Sequence, residues 1–484
     1  MPEGESSGEP VDTRDTEKWD SDPAGMMEYY KNQPYTLGQS IADIIDNSYD
    51  ANATKIDVRI DFDPSDPNKP YIVIMDNGDG ISQDEMKNAL RLGVRRNRSD
   101  TELGVFGIGM KLSSLAQANE VTVYSKKDGK VAIRRISASY ITDNNVAEVL
   151  KFHSGSQAFE LCESRFIDGD WSTMILLEDL HGARRFMSMS KSLQDSLSSE
   201  LKKIKTHLGL TFQRVIEERT NIELKFNNKD VIPIDPFMPW EINAYYGSIS
   251  ENRIVTTEIE GKLVDVKIRF VIIPHTNNFD DLRRCKAVNG GYKKANDMQG
   301  LYLYRNSRLI QYGGWHNMYG DTTEEHNKLG KILIDLPPEY SKQFGLNPTK
   351  SEIKLPLDFL EKVRAIADEE RGWGDIKKGK KLTFSQAFDY RYRNEGKKKK
   401  KLAASGGTPA AIPQRPTTTG GGSTTPRPTV TAPSRPRRQQ PTSNTVKQVV
   451  VSIDESGDET VVKLDKNREG YEDLMTKLRM WQID

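Results

Sequence analysis

The chain has 484 residues, more than a single hydrophobic core usually organises, so two or three domains are expected. Lysine plus arginine and aspartate plus glutamate each total 70, so bulk charge singles out no partner and any nucleic-acid or membrane affinity has to come from local patches. Two cysteines, Cys162 and Cys285, are too few for a disulfide framework or a zinc site. No segment approaches the roughly 18 uncharged residues of a membrane span, and the acidic N-terminus lacks an apolar stretch, so a soluble cytoplasmic protein is expected.

Residues 36–49 read as a helix. At 100° per residue, Leu37, Ile41, Ile44 and Ser48 cluster on one face, and Asp43, Asn47 and Asp50 form a polar stripe roughly opposite. Such a stripe is either a solvated surface or a site; Asp46 lies off its centre and reads as structural. The stretch KIDVRIDF then alternates as a half-buried strand, and YIVIMDNGDGI is an apolar strand ending at Asp76, with Gly78 and Gly80 permitting close backbone approach. Turn chemistry alone could also explain Asn-Gly and Asp-Gly there. Ser82 and Glu85 form a capping box for a helix reaching about Leu92.

Gly104, Gly107 and Gly109 precede a further apolar helical run, with Lys111 in its first turn. Free amides and the helix dipole at such a start favour an anion, so a phosphate site is expected. The spacing fits neither a Walker A loop nor a dinucleotide fingerprint.

In order, DIIDNSYDANA, DNGDGI, GVFGIGMK and WSTMILLEDL resemble the nucleotide-binding motifs of the GHKL superfamily, which includes gyrase B, heat-shock-90 chaperones, histidine kinases and MutL, with the MORC ATPases nearby. The resemblance implies an α+β protein. A Bergerat-fold α/β sandwich, with a mixed sheet bearing helices on one face, would be followed by a transducer-like α+β domain. It further implies ATP and Mg2+ as cofactors. Asn47 would hold the metal, with Asp50 and Ala51 at the edge of the site. Asp76 would accept the adenine amino group, and Thr173 would support the base through water. Gly78 and Gly80 would admit the base. Gly104, Val105, Phe106, Gly107, Ile108, Gly109, Met110 and Lys111 would line the phosphates, beneath a lid at 93–103. A hard cation that keeps several waters is suited by one carboxamide oxygen.

One position departs from the family. Its hydrolytic members place a glutamate four residues before the asparagine, and here that residue is Asp43. Its arm is shorter by on the order of 1.5 Å, and a misplacement of about 1 Å can cost roughly a hundredfold in rate. Either Asp43 is the base, or the protein turns ATP over slowly and uses it to lock a conformation.

After the first domain, 196–218 reads as one helix and 221–237 as a hairpin turning at Asn-Asn-Lys-Asp. The strand-like runs KLVDVKIRFVIIP, GLYLYRNSRLIQYGGW and GKILIDLPP resemble the transducer. The family's phosphate-sensing lysine would be Lys350, with Lys354 as the fallback. All six histidines follow the first motif, which argues against a histidine kinase. IKKGKK, YRYR and a lysine run make a basic band from Lys377 to Lys401, with Tyr390 and Tyr392 interleaved, suited to a nucleic-acid backbone. Residues 403–446 contain no aromatic or acidic residue and eight of the 23 prolines, the composition of a disordered linker. Beyond it, two short strands and a helix bearing Tyr471, Leu474, Met475, Leu478 and Trp481 form a unit too small to be stable alone, so it is expected to dock.

The expected organisation is therefore a flexible segment at 1–24, an ATP-binding domain at 25–230, a transducer-like domain at 231–394, a linker at 395–446 and a ββα docking or dimerisation unit at 447–484. The resemblance implies an ATPase that dimerises on ATP, acting on DNA or within a restriction or antiphage module beside a partner effector protein. The alternatives are a clamp for protein clients and a nucleotide-gated scaffold that recruits an effector through the C-terminal unit.

Overall fold

The computed structural model describes residues 22–63, 66–90, 109–153, 155–156, 160, 170–181, 193–218, 222–242, 247–279, 295–319, 324–340, 343–344, 353–369, 371–373, 381–404, 446–453 and 459–465. They fall into two compact units, Met1–Gly406 and Gly407–Asp484. Residues 1–21 of the expected flexible segment, the expected lid at 93–103, residues 405–445 of the expected linker and the expected C-terminal helix lie outside the described residues.

The first unit opens with helices α1 (Pro23–Lys31) and α2 (Leu37–Asp50). Helix α2 begins where a capping box forms: Gln39 N donates to Thr36 Oγ1 at 3.3 Å, and Thr36 N to Gln39 Oε1 at 3.0 Å. It stops at Asn52, whose φ of +58° leaves the helical region. Strands β1 (Lys55–Asp63) and β2 (Asp66–Asp76) follow, then α3 (Gln83–Leu90) and α4 (Gly109–Leu115). Next come β3 (Ala118–Lys127), β4 (Lys130–Ser137), α5 (Ala138–Asn144), β5 (Leu150–Phe152) and β6 (Thr173–Leu180). Helices α6 (Leu193–Thr211) and α7 (Gln213–Glu218) lead to β7 (Glu223–Phe226) and β8 (Lys229–Asp230).

These eight strands form one sheet in the order β5-β4-β3-β6-β2-β1-β7-β8. It is mixed because β1 and β7 run parallel while the other pairs are antiparallel. Strand alternation splits β2 between two cores: Ile72 and Ile74 pack with α2 and its neighbours, while Val73 and Met75 join Tyr124, Met174 and Leu176 in a second cluster.

The single helix expected over 196–218 is two, α6 and α7, broken at Phe212. The Phe212 ring is fully buried, 5.2 Å from that of Tyr49, and the break lets it turn into the core.

Strands β9 (Ser248–Ile249), β10 (Arg253–Ile259), β11 (Lys262–Ile272), β12 (Gly300–Arg305), β13 (Arg308–Tyr312) and β14 (Gly330–Asp335) build a second, six-stranded sheet. Helices α8 (Leu357–Glu369) and α9 (Phe384–Ala404) contribute to its core through Phe359, Val363, Phe384 and Phe388. Helix α9 runs on past residue 395, where composition had suggested that a linker begins; lysine, alanine and leucine are good helix formers, so a basic run can simply extend the last turns. In the second unit, β15 (Val446–Ile453) and β16 (Glu459–Asp465) pair antiparallel. Among the described residues no helix is long and apolar enough to cross a membrane.

Candidate functional site

The polar stripe of α2 is buried at Asp43, which is 2% exposed, and half-buried at Asn47 and Asp50; Asp46, off its centre, is 1% exposed. Carboxylates this deep must be paired. The partner is Arg308, at the start of β13 in the second sheet: its Nη2 donates to Asp43 Oδ1 at 2.9 Å and its Nε to Asp46 Oδ1 at 2.7 Å. The other Asp43 oxygen, Oδ2, accepts from the Tyr35 hydroxyl at 3.0 Å. Burial works against the Arg308 charge, but Asp46 and Asp43 outweigh it and the guanidinium is held above its ordinary pKa. Burial, then the Asp43 charge, pushes the Tyr35 hydroxyl well up, so it stays a donor.

One turn on, the Asn47 side-chain amide donates from Nδ2 to Asp43 O at 2.8 Å and to Ile44 O at 3.4 Å. With the nitrogen tied back to the helix, the amide oxygen is the atom of Asn47 that could ligate a cation. Among the described residues no group of three His, Cys, Asp or Glu side chains could cage a metal. A single amide oxygen is the kind of ligand a magnesium ion that keeps most of its waters can use. Asp50 and Ala51 sit half-buried at the end of α2.

Asp76 closes β2 directly opposite Thr173 of β6. Ser48 Oγ donates to its Oδ2 at 2.8 Å and Gly78 N to its Oδ1 at 3.0 Å. Burial raises its pKa above the usual carboxylate range, only partly countered by those bonds. Thr173 Oγ1 lies 3.0 Å from Ser125 Oγ, and Ser172 Oγ donates to Gly78 O at 2.6 Å, so hydroxyls surround the carboxylate. A buried carboxylate ringed by hydroxyls suits an amino-bearing heterocycle: the ring amine can donate to it, and the hydroxyls can hold water.

The glycines of DNGDG answer first to the protein itself. A Cβ on Gly78 would lie 2.5 Å from Ala51 O, and one on Gly80, whose φ is +70°, would lie 2.4 Å from Lys126 O. The loop is further tied to the end of α2 by Asp79 N donating to Ala51 O at 2.8 Å.

Of the expected phosphate loop, Gly109, Met110 and Lys111 are described; Gly104, Val105, Phe106, Gly107 and Ile108 lie outside the described residues, as does Lys350. Lys111 is buried and donates from Nζ to Ala89 O in α3 at 3.1 Å. Lys354 is exposed. In the basic band, Tyr392 is engaged in packing, its ring 5.6 Å from His275 and 5.4 Å from His326, so its use as a base-stacking platform is not apparent here. Lys377 lies outside the described residues, as do the side chains from 395 onward.

Around the expected site residues Asp43, Asn47, Asp76 and Thr173 the structure gathers Tyr35, Ser48, Ser125, Ser172 and Arg308, to which sequence reading gave no role. Ser48 and Ser172 adjoin marked residues and could have been flagged by proximity. Arg308 carries no local signal, because only the tertiary fold brings it to α2.

The site thus combines a buried acceptor at a strand end, a carboxamide on the adjoining helix and a glycine-rich turn within an α/β sandwich. Comparison with known proteins specifies the class. Residues 35–167 match the family described as histidine kinase-, DNA gyrase B-, and HSP90-like ATPase. Mouse ATPase MORC2B is 25% identical over 113 residues, 23% of this chain and 11% of that protein. The ATPase morc-1 of Caenorhabditis elegans is 28% identical over 130 residues, 27% of this chain and 14% of that protein. The DNA mismatch repair protein MutL of Thermosipho melanesiensis is 23% identical over 334 residues, 65% of this chain and 49% of that protein. The chain thus spans half or less of the length of these relatives. It carries a GHKL-superfamily ATPase domain related to those of the MORC and MutL proteins.

Proposed function

We propose that the protein is an ATP-driven, dimerising switch that hydrolyses ATP slowly with magnesium and acts on DNA. The observation that carries the nucleotide reading is the Ser48 bond to Asp76: it joins the adenine acceptor to the helix that bears Asn47 and Asp43, so base, metal and water-activating positions belong to one rigid assembly. Asn47 would hold the cation, which would supply charge neutralisation at the phosphates when bound. Asp76 orients the base, Lys111 supplies charge at the phosphate side, and Asp43 takes the proton of the attacking water. By the resemblance, Lys350 would contact the terminal phosphate.

The DNA and defence-module reading leans on the relatives and on the basic run that ends α9. Clamping is a population shift, so ATP can drive it only by binding the dimer more tightly than the monomer.

Steady-state hydrolysis by Asp43→Ala and Asp43→Glu proteins tests the chemistry: loss in the first and activity in the second is expected, and a fully active Asp43→Ala protein removes Asp43 from the mechanism. Light scattering with a non-hydrolysable ATP analogue should double the mass; an unchanged monomer sinks the dimer. Duplex DNA binding should weaken steeply as salt rises. No binding at low salt, with or without ATP, would redirect the switch toward a protein client.

A further inference from the structure

Arg308 belongs to the second sheet, yet its guanidinium ends on two carboxylates of the nucleotide-site helix. Both donors are within 2.9 Å, and the three side chains are almost wholly buried. Removing three charges from water is costly, and well-packed apolar side chains of similar volume often serve stability as well or better. Stability alone is thus a poor reason for this cluster.

Its geometry suggests another. Asp43 Oδ1 and Oδ2 are each held by a side chain from outside the helix, Arg308 on one side and Tyr35 on the other. Arg308 itself is seated by a second contact, to Asp46, and by the Phe212 ring, 5.8 Å from its guanidinium carbon. The sheet that carries it is anchored nearby to α7: Ser307, in the turn before β13, bonds Glu218, and Arg214 pairs at 2.6 Å with Asp335 at the end of β14.

We propose that Arg308 is a positioning residue for hydrolysis: the second sheet reaches into the nucleotide site through it and sets the attitude of the Asp43 carboxylate. The inference rests on reading Asp43 as the residue that activates water. It also accounts for the aspartate, because a base whose arm is short by a methylene depends on outside groups to aim it. Turnover is thereby tied to the seating of the second sheet against α2.

The test uses the full-length protein and separates binding from chemistry. Arg308→Gln should lower kcat at least about tenfold while leaving the Kd for ATP within about threefold. Arg308→Lys, which keeps the charge but not the two-armed grip, should lose less. The double variant Asp43→Asn/Arg308→Gln should be no slower than Asp43→Asn alone, as expected of a residue that acts through another. Should Arg308→Gln not fold, Arg308→Lys carries the test: reduced kcat at unchanged Kd supports the proposal. Wild-type kcat in the glutamine variant, or in the lysine variant when glutamine does not fold, overturns it. So does a parallel loss of kcat and ATP affinity, which marks a merely structural role. If Asp43→Asn turns over normally, the base reading fails; if Asp43→Asn is dead and Arg308→Gln is normal, only the Arg308 inference fails.

Discussion

Arg308 and Asp43 are 265 positions apart in sequence, and Nη2 of one donates to Oδ1 of the other at 2.9 Å. The contact joins the second sheet to helix α2 at the residue proposed to activate water.

Two arginines bridge the same pair of sheets, and their surroundings predict different costs. Arg214 pairs with Asp335 and stacks on Tyr304, but the pair is part-exposed, at 19% and 34%. Arg214→Ala should therefore cost on the order of 1 kcal/mol or less. Arg308→Leu strands two buried carboxylates and should cost about 3–5 kcal/mol. Chemical denaturation of both variants checks the ranking; equal losses would mean that burial does not govern the interface.

Asp76 predicts a pH effect. Its folded pKa is raised by burial, so the carboxylate gains its proton at a higher pH than an exposed aspartate, whose value is about 3.9. ATP affinity should thus fall on acidification before exposed aspartates titrate, as the adenine acceptor is lost. The same sign applies to stability: ionised and buried, Asp76 is a penalty above its folded pKa, relieved as pH falls through it. Asp76→Asn should bind ATP at least about tenfold more weakly, a loss of about 1.4 kcal/mol, and show a flatter pH profile by titration calorimetry.

The glycines divide. Gly78→Ala places a Cβ 2.5 Å from Ala51 O and should push the loop off the end of α2, with a cost of about 1–3 kcal/mol and weaker ATP binding. Gly109→Ala meets nothing within 4 Å and should leave the melting temperature unchanged. Thermal melts with and without ATP compare them directly.

Lys331 is buried in the second sheet, donating to Pro236 O at 2.8 Å and to the Tyr302 hydroxyl at 2.9 Å. Burial lowers its pKa to about 7, partly opposed by Asp235. The unfolded lysine, near 10.4, holds its proton where the folded one has lost it, so this group's contribution to stability rises with pH between those values. Lys331→Met should exceed the wild type in stability by most near pH 6, and the difference should shrink toward pH 10. A pH-independent difference in denaturant midpoint would show that Lys331 stays charged in the fold.

Local pattern carried much of this architecture. The capping box at Thr36, the alternation through β1 and β2 and the paired apolar runs of the second sheet each follow from neighbours within a few residues. The family resemblance was legible for the same reason, because its motifs, such as DIIDNSYDANA and DNGDGI, are short-range signatures. What escaped is long-range. Periodicity marked Asp43 and Asp46 as polar but could not say that one arginine neutralises both. It likewise put Phe212 in the middle of a helix, where packing against Tyr49 breaks it in two. Compositional reading ended α9 too soon, since a lysine run suits a helix as well as a linker.

The hairpin between β12 and β13 turns on Asn306 and Ser307, both with positive φ. Side chains alternate along a strand, so one residue inserted into that turn would swap Arg308 for a neighbour facing the other way. Substitutions that accept left-handed backbone, such as asparagine or glycine, leave the register intact. The turn thus tolerates changes of residue better than changes of length, and a single-codon insertion there would take the Arg308 guanidinium away from Asp43 and Asp46.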